Sequence, residues 1–147
     1  VGFLATQNCL ICKGTPESPI VFTHAETSSG DLQEFQFGGA TLEYVRFENI
    51  RFYADHAISN VTLKNCLISN IRHNSKKLGG NASAFYNMST YNCNFFANTL
   101  IPYSAALFKS AHHTSLNFLR NTVSFSDRAD LLGVNMYNSN SFDNYKE

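Results

Sequence analysis

Four sets of side chains carry reactive potential. Cys9 and Cys12 form a CxxC pair, which is half of a zinc site or a redox motif. No second CxxC or HxxxH follows to supply four ligands, so the reading includes no metal and no cofactor. An odd separation of three along a strand puts the two thiols on opposite faces, against a local disulfide. They read instead as small buried hydrophobes, more comfortable in a reducing compartment. Glu43, Glu48 and Asp55, with Asp127, Asp130 and Asp143 further on, are the carboxylates a polysaccharide-cleaving enzyme would use. Glu43 and Glu48 are five residues apart and fall on neighbouring sides of a coil, so they read as solvated surface acids.

His112-His113 sits among Ser110, Thr114 and Ser115. No glycine-framed serine elbow occurs there, and no nearby Asp would orient either imidazole. Adjacent strand residues point opposite ways, so one of the two is expected outside and the other partly buried. No catalytic residue is assigned. The fourth set is the polar loop spanning 73–81, where His73, Asn74, Lys76 and Lys77 are the candidate contacts for a partner. Long loops on rigid scaffolds commonly carry function.

The elements that would hold these groups are strands. The chain has 147 residues, 13 Phe, 7 Tyr, 17 Asn, 3 Pro and no Trp, a composition that suits pleated surfaces broken by Asn corners. Apolar residues alternate with period two in Phe35-Gln36-Phe37, Val45-Arg46-Phe47 and Val61-Thr62-Leu63. Net charge is zero, which removes the attraction on which non-specific nucleic-acid binding draws. No run is apolar enough for a membrane-spanning helix.

An internal repeat organises the rest. Residues 42–50 lie over 63–71 at an offset of 21, and 94–100 lie over 117–123 at 23. Asn49, Asn70, Asn98, Asn121 and Asn144 then recur at 21, 28, 23 and 23, each two residues after Phe, Ile or Leu. The long interval is assigned to the 73–81 insertion. Ala84-Phe85-Tyr86, Ala106-Leu107-Phe108 and Ala129-Asp130-Leu131 recur at 22 and 23 in a second register. A strand-like period near 22 predicts an all-β, right-handed parallel β-helix (solenoid) of about five coils over 38–147. The five Asn are expected to stack as one inward amide ladder. Residues 1–37 do not fit the repeat and are expected to be an atypical N-terminal cap or irregular first coils. The C-terminal end lacks an evident cap and is expected to be covered by further chain or another subunit.

A finer spacing of five appears in Asn60-Val61, Asn65-Cys66 and Asn70-Ile71, in Asn87-Met88 and Asn92-Cys93, and in Asp130-Leu131, Asn135-Met136 and Asn140-Ser141. A polar turn-former followed by a core residue every five positions resembles the pentapeptide-repeat proteins, which implies a square coil. Here the central residues are Val, Cys, Ile and Met, and strict fives fail between 97 and 128. Gly38-Gly39-Ala40, with Phe47-Glu48-Asn49, Phe95-Phe96-Ala97-Asn98 and Phe118-Leu119-Arg120-Asn121, resembles the GGA and FxxN repeats of autotransporter passengers. The irregular Asn-rich coils are also similar to the β-helix domain of bacterial secreted HECT-like ubiquitin-ligase effectors. In that family the helix selects partners and a separate part carries the catalytic cysteine, of which this chain shows no matching segment.

These resemblances imply a non-catalytic scaffold for protein–protein recognition within a larger secreted or cell-surface bacterial effector or adhesin. The competing expectation is a carbohydrate-active β-helix enzyme, a polysaccharide lyase or hydrolase. A third is a passive stalk.

Overall fold

A computed structural model of the chain describes residues 3–4, 10–23, 35–52, 57–74, 84–101, 108–123, 133–137, 140–142 and 145–146. Every regular element among them is a strand. After β1 (Phe3–Leu4), β2 (Cys12–Lys13) and β3 (Ile20–Thr23), strands come in threes. The first three are β4 (Phe35–Glu43), β5 (Val45–Glu48) and β6 (Arg51–Phe52), followed by β7 (Ile58–Lys64), β8 (Leu67–Ser69) and β9 (Arg72–Asn74). Next come β10 (Phe85–Tyr91), β11 (Asn94–Phe96) and β12 (Thr99–Ile101), then β13 (Phe108–Thr114), β14 (Asn117–Leu119) and β15 (Thr122–Val123). The series ends with β16 (Gly133–Tyr137), β17 (Asn140–Phe142) and β18 (Tyr145–Lys146).

Each strand pairs in parallel with its equivalent one coil away, giving three sheets that run along one axis. The protein is a parallel β-solenoid. Leu42 lies over Leu63, Leu63 over Thr90, Thr90 over His113 and His113 over Met136, so successive coils take 21, 27, 23 and 23 residues. The longest interval is therefore 27, one fewer than the Asn spacing suggests. Phe85 sits over Phe108 at 23, so the Ala84/Ala106 repeat at 22 is one residue out of register. Residues from the N-terminal segment join the stack: β1 and β2 pair with β4, and β3 with β5.

Alternation within the short strands sends one column of each sheet into the core. Phe22, Phe47, Ile68, Phe95 and Phe118 form one such column. Phe22 stacks on Phe47 at 5.1 Å, and Phe35 meets Phe52 edge-on at 5.4 Å. Phe95 meets Phe85 at 5.0 Å and Phe118 at 6.2 Å, so one ring links two sides and two coils. Each fully buried ring of this column contributes on the order of 2–3 kcal/mol by leaving water, and Phe22, at its end, is partly buried.

The interior also holds thiols and several polar side chains. Cys66 and Cys93 are buried in-register neighbours whose thiols donate to the Lys64 and Tyr91 carbonyls at 3.2 and 3.4 Å. The hydrogen bond with Cys66, together with burial, pushes the Cys93 thiol up, so it stays protonated and inert. Thr90 Oγ1 lies 2.7 Å from His113 Nδ1, both fully enclosed. Burial first, and the neighbouring His112 second, push His113 down to about 4.

The unfolded imidazole titrates near 6.5, so as pH falls the unfolded chain takes up its proton first. Stability that is complete above pH 6.5 is lost between 6.5 and about 4, then levels off. Urea unfolding should show about 1 kcal/mol lost at this site between pH 7.5 and 5.5. The Thr90→Val/His113→Leu double variant should lack that portion of the slope, and an unchanged slope would contradict the buried neutral imidazole.

Candidate functional site

The surface is organised by its corners. Tyr44, Asn65, Asn92 and Ser115 occupy one column of left-handed residues, with φ of 51–55°. Asn49, Asn70, Ala97 and Arg120 occupy a second, with φ of 52–58°. Asn60, Asn87 and Ser110 form a third, with φ of 47–54°, bending the long first-sheet strands in their middle. These columns hold all eleven non-glycine residues of positive φ among those described. In the coil of β4, Phe37, Gly38 and Gly39 together oppose Asn60, and both glycines have positive φ. A left-handed residue costs roughly 1–2 kcal/mol for most side chains and least for Asn and Gly. The five-residue spacing in the sequence is thus the distance from corner to corner, as in Asn60, Asn65 and Asn70.

The predicted ladder residues lie in two adjacent columns. Asn49 and Asn70 stack at the second corner, while Asn98 and Asn121 stand one position later, in the column of Ile50 and Ile71. Asn144 lies outside the described residues. The displacement has a clear source. Phe95, not Phe96, belongs to the inward column with Phe47 and Ile68, and Phe96 points out at 39% exposure. Asn98 therefore follows its inward residue, Phe95, by three positions, whereas Asn49 and Asn70 follow theirs, Phe47 and Ile68, by two.

Position changes chemistry. Asn70 is exposed and serves its own backbone turn. Asn98 and Asn121 are buried and complete the corner of the preceding coil. Asn98 Oδ1 accepts from the Ile71 N–H at 2.9 Å, and its Nδ2 donates to the Ile68 carbonyl at 3.1 Å. Asn121 repeats this one coil on, accepting from the Asn98 N–H at 2.9 Å and donating to the Phe95 carbonyl at 3.0 Å. The two amides are joined by Asn98 Nδ2 donating to Asn121 Oδ1 at 2.8 Å. Backbone groups that the bend takes out of the ladder are satisfied by side chains, as burial demands.

Further amide pairs run up the outside. Asn87 donates to Asn60 at 2.8 Å, Asn92 to Asn65 at 2.7 Å and Asn117 to Asn94 at 2.8 Å. Sequence reasoning noted the Asn60 and Asn65 series only as corner spacing, and the signal that would have paired them was the offset of 27 between coils.

Of the loop candidates, His73 is buried in β9 over Phe52 and under Leu100, so its side chain belongs to the core. Asn74 ends β9. Lys76 and Lys77 lie outside the described residues. His112 is exposed and His113 buried, the opposed pair expected of a strand. Glu43 and Glu48 sit at the ends of different strands, 3.5 Å from Lys13 and 3.7 Å from Arg46 respectively. Among the described residues no three His, Cys, Asp or Glu converge on a metal-sized site, and no helix is long and apolar enough to cross a membrane.

Two grooves remain as places for a ligand. At the first corner one or two residues join the strands of β4–β5, β7–β8, β10–β11 and β13–β14, but between β2 and β3 the chain inserts Gly14 to Pro19. Gly14 N donates to Glu43 O at 2.9 Å and Ile20 N to Tyr44 O at 3.1 Å, fixing both feet of this loop. A side chain at Gly14 would stand 2.6 Å from Tyr44 O, so only glycine permits that approach. Thr15 and Ser18 exchange backbone bonds at 3.1 and 3.2 Å, and two prolines stiffen the arch. It overhangs a groove of about 410 Å³ with Leu67, Phe96 and Leu119 on its floor and Asn65 and Asn94 at its side. Arg120 lies 5.9 Å from the Phe96 ring.

The second groove, of about 380 Å³, runs along the second corner between Asn49, Asn70 and Ala97 and the outward column of Arg51, Arg72 and Thr99. Arg51 and Arg72 are directly in register.

Comparison with protein-family models, curated proteins and solved structures gives no match. The resemblances to pentapeptide-repeat, autotransporter and effector β-helices therefore rest on the residues quoted above.

The split of the ladder makes unequal predictions for equivalent-looking Asn residues. Asn98→Leu should cost about 2–5 kcal/mol in chemical denaturation, because the Ile71 N–H and Ile68 carbonyl lose their partners in a dry site. Asn70→Gly, which keeps the left-handed turn, should change stability by less than about 1 kcal/mol. Equal effects would contradict the two-column arrangement.

Proposed function

We propose that this chain is the recognition scaffold of a larger protein, a right-handed solenoid of about five coils whose N-terminal segment, 1–37, shields one end. The reading is of a non-catalytic module that binds a protein partner, in a secreted or cell-surface bacterial effector or adhesin. The observation that carries it is the proline-arched groove. A rigid stack of coils holds an exposed phenyl ring and two leucines in a groove that Arg46, Asn65 and Asn94 also line, beside a loop pinned at both feet. Clustered apolar side chains ringed by polar groups are characteristic of interaction sites.

The occupant that fits is an extended segment of a partner protein. An apolar side chain would rest on Phe96 and Leu119, and peptide groups would meet the Asn65 and Asn94 amides at the rim. The amide ladders favour such a ligand because they hold the rim in place before binding, which lowers the ordering cost of association.

Partner capture by photocrosslinking, followed by an affinity measurement on the purified partner, tests this. Phe96→Asp should weaken binding roughly ten-fold or more, as expected for a central aromatic contact, while Tyr91→Asp, on another face, should leave it unchanged. Binding unaffected by Phe96→Asp would reject the groove. Cleavage of a polysaccharide that Glu43→Gln or Glu48→Gln abolishes would reject the scaffold in favour of a carbohydrate-active enzyme.

A further inference from the structure

We propose that the partner segment seated in the proline-arched groove is acidic, with an Asp or Glu two positions from the apolar residue that rests on Phe96 and Leu119, and that Arg120 takes its carboxylate. The inference deepens the protein-recognition reading and rests on it. Its basis is a cation whose place beside the groove floor is fixed. The Arg120 guanidinium carbon lies 5.9 Å from the centre of the Phe96 ring, and both side chains are exposed. A guanidinium held against a ring keeps its N–H donors, and their planar fork takes both oxygens of one carboxylate. Among the described residues two ion pairs form, Lys13 with Glu43 and Arg46 with Glu48, and Arg120 belongs to neither.

The groove and its corner point the same way. None of the described residues lining the groove is acidic, and Arg46, which lines it, already has Glu48 at 3.7 Å. An acidic segment therefore meets the charge of Arg120 and no carboxylate on the lining, whereas a basic one would be repelled. Arg120 also stands where its residue type is unfavourable. Its φ is 54°, at the corner that Asn49 and Asn70 occupy in earlier coils, and arginine tolerates that left-handed backbone less well than Asn. The corner gives up some stability to place a cation there, which fits a role in binding. Spacing follows from distance. Side chains on one face of an extended segment repeat roughly every 6.6 Å, close to the 5.9 Å between ring and guanidinium, so the acid falls two positions from the apolar residue, on either side. One arginine calls for one carboxylate at a set place, and a polyanion such as nucleic acid would need a basic path that this neutral chain lacks.

A library of random peptides displayed on phage should be selected against the full chain, and synthetic copies of the enriched peptides titrated by fluorescence anisotropy. Enriched peptides are expected to carry Asp or Glu two positions from an aromatic or aliphatic residue. Replacing that acid with Asn or Gln should weaken binding to the wild-type chain roughly ten-fold, the loss expected for one charge-assisted contact. Arg120→Asn, which suits the left-handed corner, should bind the acidic and the neutral peptide equally, at about the affinity the wild type shows for the neutral one. Arg120→Lys, which keeps the charge without the fork, should retain part of the preference, and Lys64→Gln should bind as wild type. Wild-type-like circular dichroism and thermal unfolding establish that the variants fold. Peptides that need Phe96 yet lose nothing when the acid is replaced, or that bind folded Arg120→Asn as tightly as wild type, would overturn this inference and leave the groove as the binding site. Peptides indifferent to Phe96→Asp, or no enrichment at all, would overturn the recognition reading and the acidic ligand with it.

Discussion

The constraint on which the structure depends is the bend. A parallel strand bonds only to coils above and below, so the chain must change direction several times per coil without leaving a buried amide or carbonyl unpaired. Left-handed residues supply the bends, repeated in register so that each corner stacks on another. Asn is used at six of these positions because it tolerates the conformation and can bond along the axis at the same time. Where the bend removes backbone partners inside the core, the amides of Asn98 and Asn121 replace them.

That arrangement determines what the core can contain. Columns one coil apart bring like residues together, so phenyl rings meet phenyl rings and Cys66 meets Cys93. The same rule brings Thr90 to His113 and imposes neutrality on the imidazole. On the outside it aligns amides into pairs and sets Arg51 over Arg72. Rigidity and binding surface have one origin. Repetition lays out the second groove, and a departure from it, the Gly14 to Pro19 insertion, builds the first.

Period two and the internal repeat made the parallel solenoid legible from sequence, and the offsets of 21 and 23 are those of the actual strand pairs. The spacing of five was legible too, although its meaning, a left-handed residue at each step, is a backbone property that composition only hints at. The ladder was harder. In Phe95-Phe96 two aromatics compete for one inward position, and a sequence offers no way to see which ring is wet. With Phe96 inward, Asn98 would fall in the column of Asn70; with Phe95 inward it falls in that of Ile71, where its role is different. His73 misled for a related reason, since a polar run such as His73-Asn74-Ser75-Lys76 conceals where the strand stops. The grooves depend on side chains from three or four coils and on one inserted turn, contacts that no local pattern encodes.

The account stands on two buried amides replacing lost backbone partners at a bend, and the side-chain NH2 protons report on it directly. Hydrogen exchange followed by NMR should find the Nδ2 protons of Asn98 and Asn121 protected on the order of a hundred-fold or more over those of Asn87 and Asn92, whose ladder faces water. Exchange of all four at similar rates would show that the corner is open to solvent, and the interior amides would no longer explain how the coil turns.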